Sequence, residues 1–386
     1  MIKGNFPVEK FKEIPTPFYY YDLDVLRATL EKIADATSEM PVEVHYALKA
    51  NVNPQVLSVI KNAGLGADCV SGGEVQAALD AGIDNTKIVF AGVGKSDNEI
   101  LLGLENDIFC FNAESTQELE VINELATSKG KIARVALRIN PNVSAHTHHY
   151  ITTGLNENKF GINISDLDMV TDLLKTLKNV ELIGIHFHIG SQITDLQPFQ
   201  GLCVRINELQ IYFESKGIVL KHINVGGGLG INYEHPNHFP IPDFESYFKI
   251  FSEHLELRPH QKLHFELGRS VVAQCGSLIA KVLYIKEGQT KKFAILDAGF
   301  TELIRPALYQ AYHRIENITS DLQEIAYDVV GPVCESSDTF AKDFVMNKTS
   351  RGDLIALRSA GAYGEIMASQ YNLRKLPKAY TSDDLK

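Results

Sequence analysis

The sequence predicts a (β/α)8 barrel joined to a second, β-rich domain, and three observations carry that prediction. Between residues 42 and 268, eight short apolar runs alternate with longer stretches whose apolar spacing is helical. The runs are nearly continuous in apolar residues instead of alternating with polar ones, the pattern of parallel strands covered by helices on the outside. After Arg269 the rhythm changes to strand-rich segments with no long helices between them. A chain of 386 residues has room for two or three domains at roughly 150 residues each.

In chain order, the opening TPFYYYD reads as a strand, so the β-rich domain can combine both ends of the chain. The barrel runs are VEVHYALK (42–49), ADCV (67–70), KIVFAG (87–92), DIFCFN (107–112), RVALRIN (134–140), LIGIHFHIG (182–190), HINVGGG (222–228) and KLHFELG (262–268). Segments such as GGEVQAALDAG and STQELEVINELATSKG supply the helices between them. SLIAKVLYIKEG, KKFAILDAG, EIAYDVVGP and DLIALRSAGAY are the strands of the second domain. The division is therefore 25–270 for the barrel, and 1–24 with 271–386 for the β-rich domain. The longest irregular stretch, 141–161, contains HTHHY and leaves the C-terminal end of a strand, where barrel enzymes carry functional loops.

Composition narrows the function. With 45% hydrophobic and 22% charged residues the chain is an ordinary globular protein, and a net charge of −11 gives no general attraction to nucleic acid or anionic lipid. No window approaches 18 apolar residues and the N-terminus lacks a leader pattern, so a soluble cytoplasmic protein is expected. Cys69, Cys110, Cys203, Cys275 and Cys334 are odd in number, scattered and never spaced C-x-x-C, which argues against disulfides and structural zinc.

A barrel enzyme collects its reactive groups at the C-terminal ends of its strands, and the candidates fall there. Lys49 closes the first run, where partial desolvation would lower its pKa and make it a Schiff-base nucleophile; the plain alternative is a snorkelling surface lysine. Asp68 lies in the second run and His188 ends the sixth. Gly226, Gly227 and Gly228 expose backbone amides suited to a phosphate, or else make a tight turn. Glu266 could accept from a protonated ring nitrogen, or pair with Arg269. His186 and His188 share one side of a strand and invite a metal reading, but the neighbouring strand ends offer no further ligand set, so no metal is expected. Cys334, in GPVCESSD, is either reactive or a buried inert thiol.

Lysine, phosphate-binding glycines and a carboxylate are the parts a protein supplies to pyridoxal 5'-phosphate. HYALKAN, GADCVSGGE, GIHFHIGSQ, NVGGGLGI, FELGRS, ELIRPALYQAYH, GPVCESSD and GAYGEIMASQYN, in that order over nearly the whole chain, resemble the fold-type III, barrel-type pyridoxal-phosphate decarboxylases. The resemblance implies that Lys49 anchors the cofactor and His188 stacks on its ring, while Ser191, Gly227, Gly228 and Tyr363 surround its phosphate and Glu266 meets its ring nitrogen. Asp68, Gly268 and Arg269 complete the cofactor site. Arg269, Arg305, Tyr309 and Tyr363 resemble the residues around the substrate, and Glu335 the acceptor for its distal ammonium. In such enzymes the counterparts of Cys334 and Glu335 enter from a neighbouring subunit, which implies an obligate homodimer with shared sites and Cys334 as a catalytic proton donor.

The activity implied is decarboxylation of meso-diaminopimelate to L-lysine and carbon dioxide, the last step of lysine biosynthesis. A related decarboxylase acting on ornithine, arginine or carboxynorspermidine is the alternative. A non-catalytic relative should lose the anchoring lysine or the cysteine, and Lys49 and Cys334 are both present. The chain departs from the family pattern at Leu267, where E-P-G-R has proline, and in DAGFTELIRP before Arg305.

Overall fold

The computed structural model describes residues 6–143 and 159–386; HTHHY, at 146–150, lies outside them. Strand β1 (Phe18–Tyr21) leads into helix Leu23–Thr37. Asp22 starts that helix, because its Oδ1 accepts from the otherwise unpaired amides of Asp24 and Val25. Leu23, Leu26, Leu30 and Ile33 form its buried face, which packs on helices Pro54–Asn62 and Phe244–His254.

The barrel follows in β2 (Val42–Ala47), β3 (Gly66–Cys69), β4 (Ile88–Phe90), β5 (Cys110–Ala113), β6 (Ala133–Asn140), β7 (Ile162–Asn163), β8 (Val180–His186), β9 (His222–Asn224) and β10 (Lys262–Leu267). All pair in parallel, in the order β5-β4-β3-β2-β10-β9-β8-β6, and β6 returns to β5 to close a ring of eight; β7 is a short outer addition to β6. The loops after the strands supply helix caps: the side chains of Asn53, Ser71, Ser115 and Asp243 each accept from one or two backbone amides of the following turn. At Leu267 the strand continues undisturbed, its backbone in register with Tyr46 and its side chain in the core.

The floor of the barrel is polar. His45 Nδ1 lies 3.0 Å from the Lys87 carbonyl, His45 Nε2 lies 2.9 Å from His264 Nδ1, and His264 Nε2 lies 2.9 Å from His222 Nδ1. A carbonyl can only accept, so the chain runs with every Nδ1–H donating in the same direction. Burial pushes all three imidazoles below their ordinary range, His222 to about 4, so they are neutral near pH 7.

The second domain contains β11 (Gly276–Glu287), β12 (Lys292–Leu296), β13 (Ile315–Asn317), β14 (Glu324–Val330), β15 (Thr339–Asn347), β16 (Leu354–Leu357) and β17 (Lys378–Thr381). Its sheet runs β13-β16-β11-β12-β14-β15, and β1 pairs antiparallel with β11 and parallel with β17, so both chain ends meet in one sheet. Just after the chain leaves the barrel, two glycines pack backbone against backbone: a Cβ on Gly361 would lie 2.0 Å from the Val272 carbonyl, and one on Gly276 would lie 2.3 Å from the Gly361 Cα. Two residues on, Tyr363 holds a left-handed backbone (φ 56°) with its amide bonded to the Ala50 carbonyl at 2.8 Å, so this contact aims a second-domain tyrosine at the barrel mouth. Because backbone atoms cannot yield, Gly361→Ala should lower the melting temperature by at least about 6 °C; calorimetry showing a wild-type melting temperature would contradict this account of the junction.

Candidate active site

At the barrel mouth, Lys49 follows β2 and Asp68 lies in β3, with Nζ and Oδ2 3.5 Å apart. The Lys49 side chain is 38% exposed and that of Asp68 only 1%, so the amine reaches the opening while the carboxyl is sealed beneath it. Oδ1 of Asp68 is buried without a hydrogen-bond partner among the described residues. The lowered lysine pKa expected from sequence is corrected here. Burial does pull Lys49 down, but Asp68, Tyr363 and Glu266 together outweigh it and hold the ammonium above its ordinary value. Asp68 moves the other way from a normal carboxyl: burial and the charge of Glu266 push it up to about 7 against the pull of Lys49.

Glu266 projects from β10 into the barrel interior and is 7% exposed. Its Oε2 accepts from His186 Nε2 at 2.9 Å, and its Oε1 from the amides of Asn112 at 3.1 Å and Asn224 at 2.8 Å. Burial opposes ionisation, yet His186, Lys49 and His188 outweigh it and hold the group well below the usual carboxylate range. An ionised carboxylate offers about four acceptor positions, so one remains beyond these three donors. The alternative pairing with Arg269 is overturned: Arg269 donates Nη1 to Tyr233 Oη at 2.7 Å and Nη2 to Ser191 Oγ at 3.0 Å.

The glycine run supplies a cradle. A Cβ on Gly226 would lie 2.2 Å from the Phe187 carbonyl and one on Gly227 would lie 1.9 Å from that of Glu266, so no side chain fits where this backbone crosses neighbouring strands. The Gly227 amide makes one long contact, 3.4 Å to His188 Nδ1. Around it stand Ser191, Arg269 and Tyr363, whose hydroxyl lies 3.4 Å from the place a Cβ on Gly268 would take. Arg269 Nε is buried with no partner among the described residues. His188 is held far below its ordinary pKa by burial, Lys49 and Arg138, which leaves a neutral ring. A cavity of about 360 Å³ opens beside these groups, lined by His188, Ser191, Tyr233, Arg269, Arg305, Tyr309 and Tyr363.

Cys334 and Glu335 are not brought to this cavity by their own chain. Both are exposed, which overturns the buried-thiol reading of Cys334, and Glu335 accepts from Tyr371 at 2.7 Å. The structure adds residues that sequence reasoning missed: Asn112 and Asn224 on Glu266, and Tyr233 and His313 beside Arg305. Asn112 and Asn224 had a readable signal, an amide at the end of an otherwise apolar strand. His186 was considered only as a metal ligand; it serves Glu266, and no group of three metal-ligating side chains occurs among the described residues.

An amine at the mouth, a buried carboxylate with one acceptor position left, and amides, hydroxyls and an under-used guanidinium around a cradle fit pyridoxal phosphate end to end. Residues 26–273 match the family described as pyridoxal-dependent decarboxylase, pyridoxal binding domain. A diaminopimelate decarboxylase of Bacteroides thetaiotaomicron is 65% identical over 385 residues, covering 100% of both chains, and one of Haemophilus influenzae is 44% identical over 96% of this chain and 89% of its own. The crystal structure of diaminopimelate decarboxylase from Helicobacter pylori complexed with L-lysine superposes with a TM-score of 0.91 at 42% identity, over 97% of this chain and 93% of that one. A lysine/ornithine decarboxylase of Vibrio vulnificus, at 22% identity and a TM-score of 0.84, shares the fold. This chain therefore belongs to the pyridoxal-dependent decarboxylases.

Proposed function

We propose that this protein removes carbon dioxide from meso-diaminopimelate to leave L-lysine, with pyridoxal 5'-phosphate as cofactor. One observation carries the choice of substrate: two guanidiniums, Arg269 and Arg305, share the cavity, and neither has a carboxylate partner among the described residues. Buried cations without counter-ions are costly; the cofactor phosphate would answer Arg269, and a substrate carboxylate remote from the reacting carbon would answer Arg305. Ornithine would bring a bare ammonium toward Arg305. The B. thetaiotaomicron relative's name and the lysine-bound H. pylori structure point to the same chemistry.

When bound, pyridoxal phosphate supplies an aldehyde for amines and a ring that takes up the electron pair left by the departing carboxylate. Lys49 would anchor it, and Asp68, its Oδ2 3.5 Å from the Lys49 Nζ and its pKa raised by burial and Glu266, would sit beneath that amine. Glu266, held as a carboxylate by His186 and Lys49 and with an acceptor position left, would meet the ring nitrogen and favour its protonated form. The neutral His188 would offer a flat face to the ring. Ser191, Gly227, Gly228, Arg269 and Tyr363 would hold the phosphate end.

A second copy of the chain completes the site. Cys334 enters from it to protonate the α-carbon, and Glu335 to receive the distal ammonium. Supporting this, Leu308, Tyr312, Ile366 and Tyr371 are 46%, 42%, 43% and 49% exposed, several of them beside cavity-lining residues, and Cys334 and Glu335 face outward. No helix among the described residues is long and apolar enough to cross a membrane, and the five cysteines are free, in keeping with work in the cytoplasm.

Rates on meso-diaminopimelate, ornithine and lysine test the assignment: diaminopimelate should be preferred by at least about a hundredfold in kcat/KM, and a preference for ornithine would reject it. Glu266→Gln should lower kcat by at least about 10²-fold while the protein still binds cofactor; near-normal kcat would remove Glu266 from its role. Lys49→Ala and Cys334→Ala should each be inactive alone. Mixed after dissociation, they should recover up to about a quarter of wild-type sites, since half the dimers are mixed and each holds one intact site; no recovery under conditions that reassemble wild-type dimers would count against shared sites.

A further inference from the structure

Arg305 is unusual in how it is held. It begins helix Arg305–Tyr309, is 6% exposed, and gives both hydrogens of Nη1 to acceptors that are not carboxylates: Tyr233 Oη at 3.0 Å and His313 Nε2 at 2.9 Å. His313 Nδ1 lies 2.9 Å from the Arg358 carbonyl, so Nδ1 carries the hydrogen and Nε2 can only accept. Burial together with Arg305 pushes His313 to about 3, which keeps it neutral. The Tyr233 ring lies under the guanidinium, 5.2 Å from its Cζ, and meets the His313 ring edge-on at 5.3 Å.

With Nη1 spent, the Nε and Nη2 edge of Arg305 has no partner among the described residues, and that edge is the one that matches a carboxylate in two parallel hydrogen bonds. The identity of the two holders matters. A carboxylate in either place would fix the guanidinium equally well but cancel its charge, whereas a phenol and an imidazole fix it and leave the charge for the ligand. Tyr233 Oη also accepts from Arg269 Nη1 at 2.7 Å, so it sets the separation of the two cations.

We infer that Tyr233 and His313 are positioning residues that make this site selective for a ligand bearing a carboxylate at the end away from the reaction, by fixing Arg305 without neutralising it. This rests on the proposed diaminopimelate reading, whose product L-lysine keeps that carboxylate.

The test uses the cofactor-loaded enzyme and two ligands that differ only by a carboxylate, L-lysine and pentane-1,5-diamine. In Tyr233→Phe, which keeps the ring but removes the shared acceptor, the dissociation constant for L-lysine should rise at least about tenfold and that for pentane-1,5-diamine should change by less than about twofold. KM for diaminopimelate should rise with L-lysine binding while kcat stays within about threefold. His313→Leu should act like Tyr233→Phe, and His313→Gln, which can still present an acceptor to Arg305, should restore L-lysine binding. Equal weakening of both ligands, or no weakening of either, overturns the inference. Visible cofactor absorbance reports whether each variant is folded, and if Tyr233→Phe does not fold, the His313→Leu and His313→Gln pair decides alone. Should wild-type enzyme prefer ornithine, the substrate reading fails separately, because the comparison of L-lysine with its decarboxylated counterpart needs no turnover.

Discussion

One negative charge inside the barrel governs the rest of the site. A buried carboxylate costs several kcal/mol unless its oxygens are met by well-aligned donors, and Glu266 on β10 is met by side chains from three other strands: Asn112 from β5, His186 from β8 and Asn224 from β9. These four strands come together only when the ring is closed, so the charge is stable because the barrel exists. Its influence reaches outward. Glu266 helps to lift Asp68 toward neutrality and contributes to the high proton affinity of Lys49. The Lys49 amine and its neighbour are thus tuned by a group they do not touch.

The chain manages its buried charges in two distinct ways. Arg138 and Glu114 form a sealed pair at 2.7 Å, and Glu114 also accepts the amides of Gly92 and Gly161; that charge is consumed within the protein. Arg269 and Arg305 are instead braced by a phenol, a serine hydroxyl and an imidazole. The contrast separates a cation neutralised within the fold from cations held in place with no carboxylate partner among the described residues.

Much of this was legible in the sequence, for reasons that differ by element. The barrel strands stood out because a strand buried on both faces must be apolar throughout, and Lys49, Asp68, His188 and Glu266 stood out because charge or imidazole within such runs is rare. The return of TPFYYYD to the second domain was readable as a strand, but its partners β11 and β17 were not, since they lie more than 250 and 350 residues away. Tyr233 and His313 escaped because each is ordinary in its local context; Asn112 and Asn224 carried a signal as amides ending apolar strands, but only the closed fold brings them to Glu266. The proton affinity of Lys49 was misread for the same reason: burial was visible from the strand end, while the three acidic groups that oppose it converge in space alone.

Asn224 does two things with one amide. Its Nδ2 donates to Glu266 Oε1 at 2.8 Å and its Oδ1 accepts from the Gly226 amide at 2.9 Å. The buried Glu266 carboxylate and the glycine run that follows β9 are therefore tied to a single planar side chain. The barrel in this way carries a built-in calliper: the span between that carboxylate and that glycine run is set by a rigid amide, and aspartate in its place would lose the donor and set a second anion against the first.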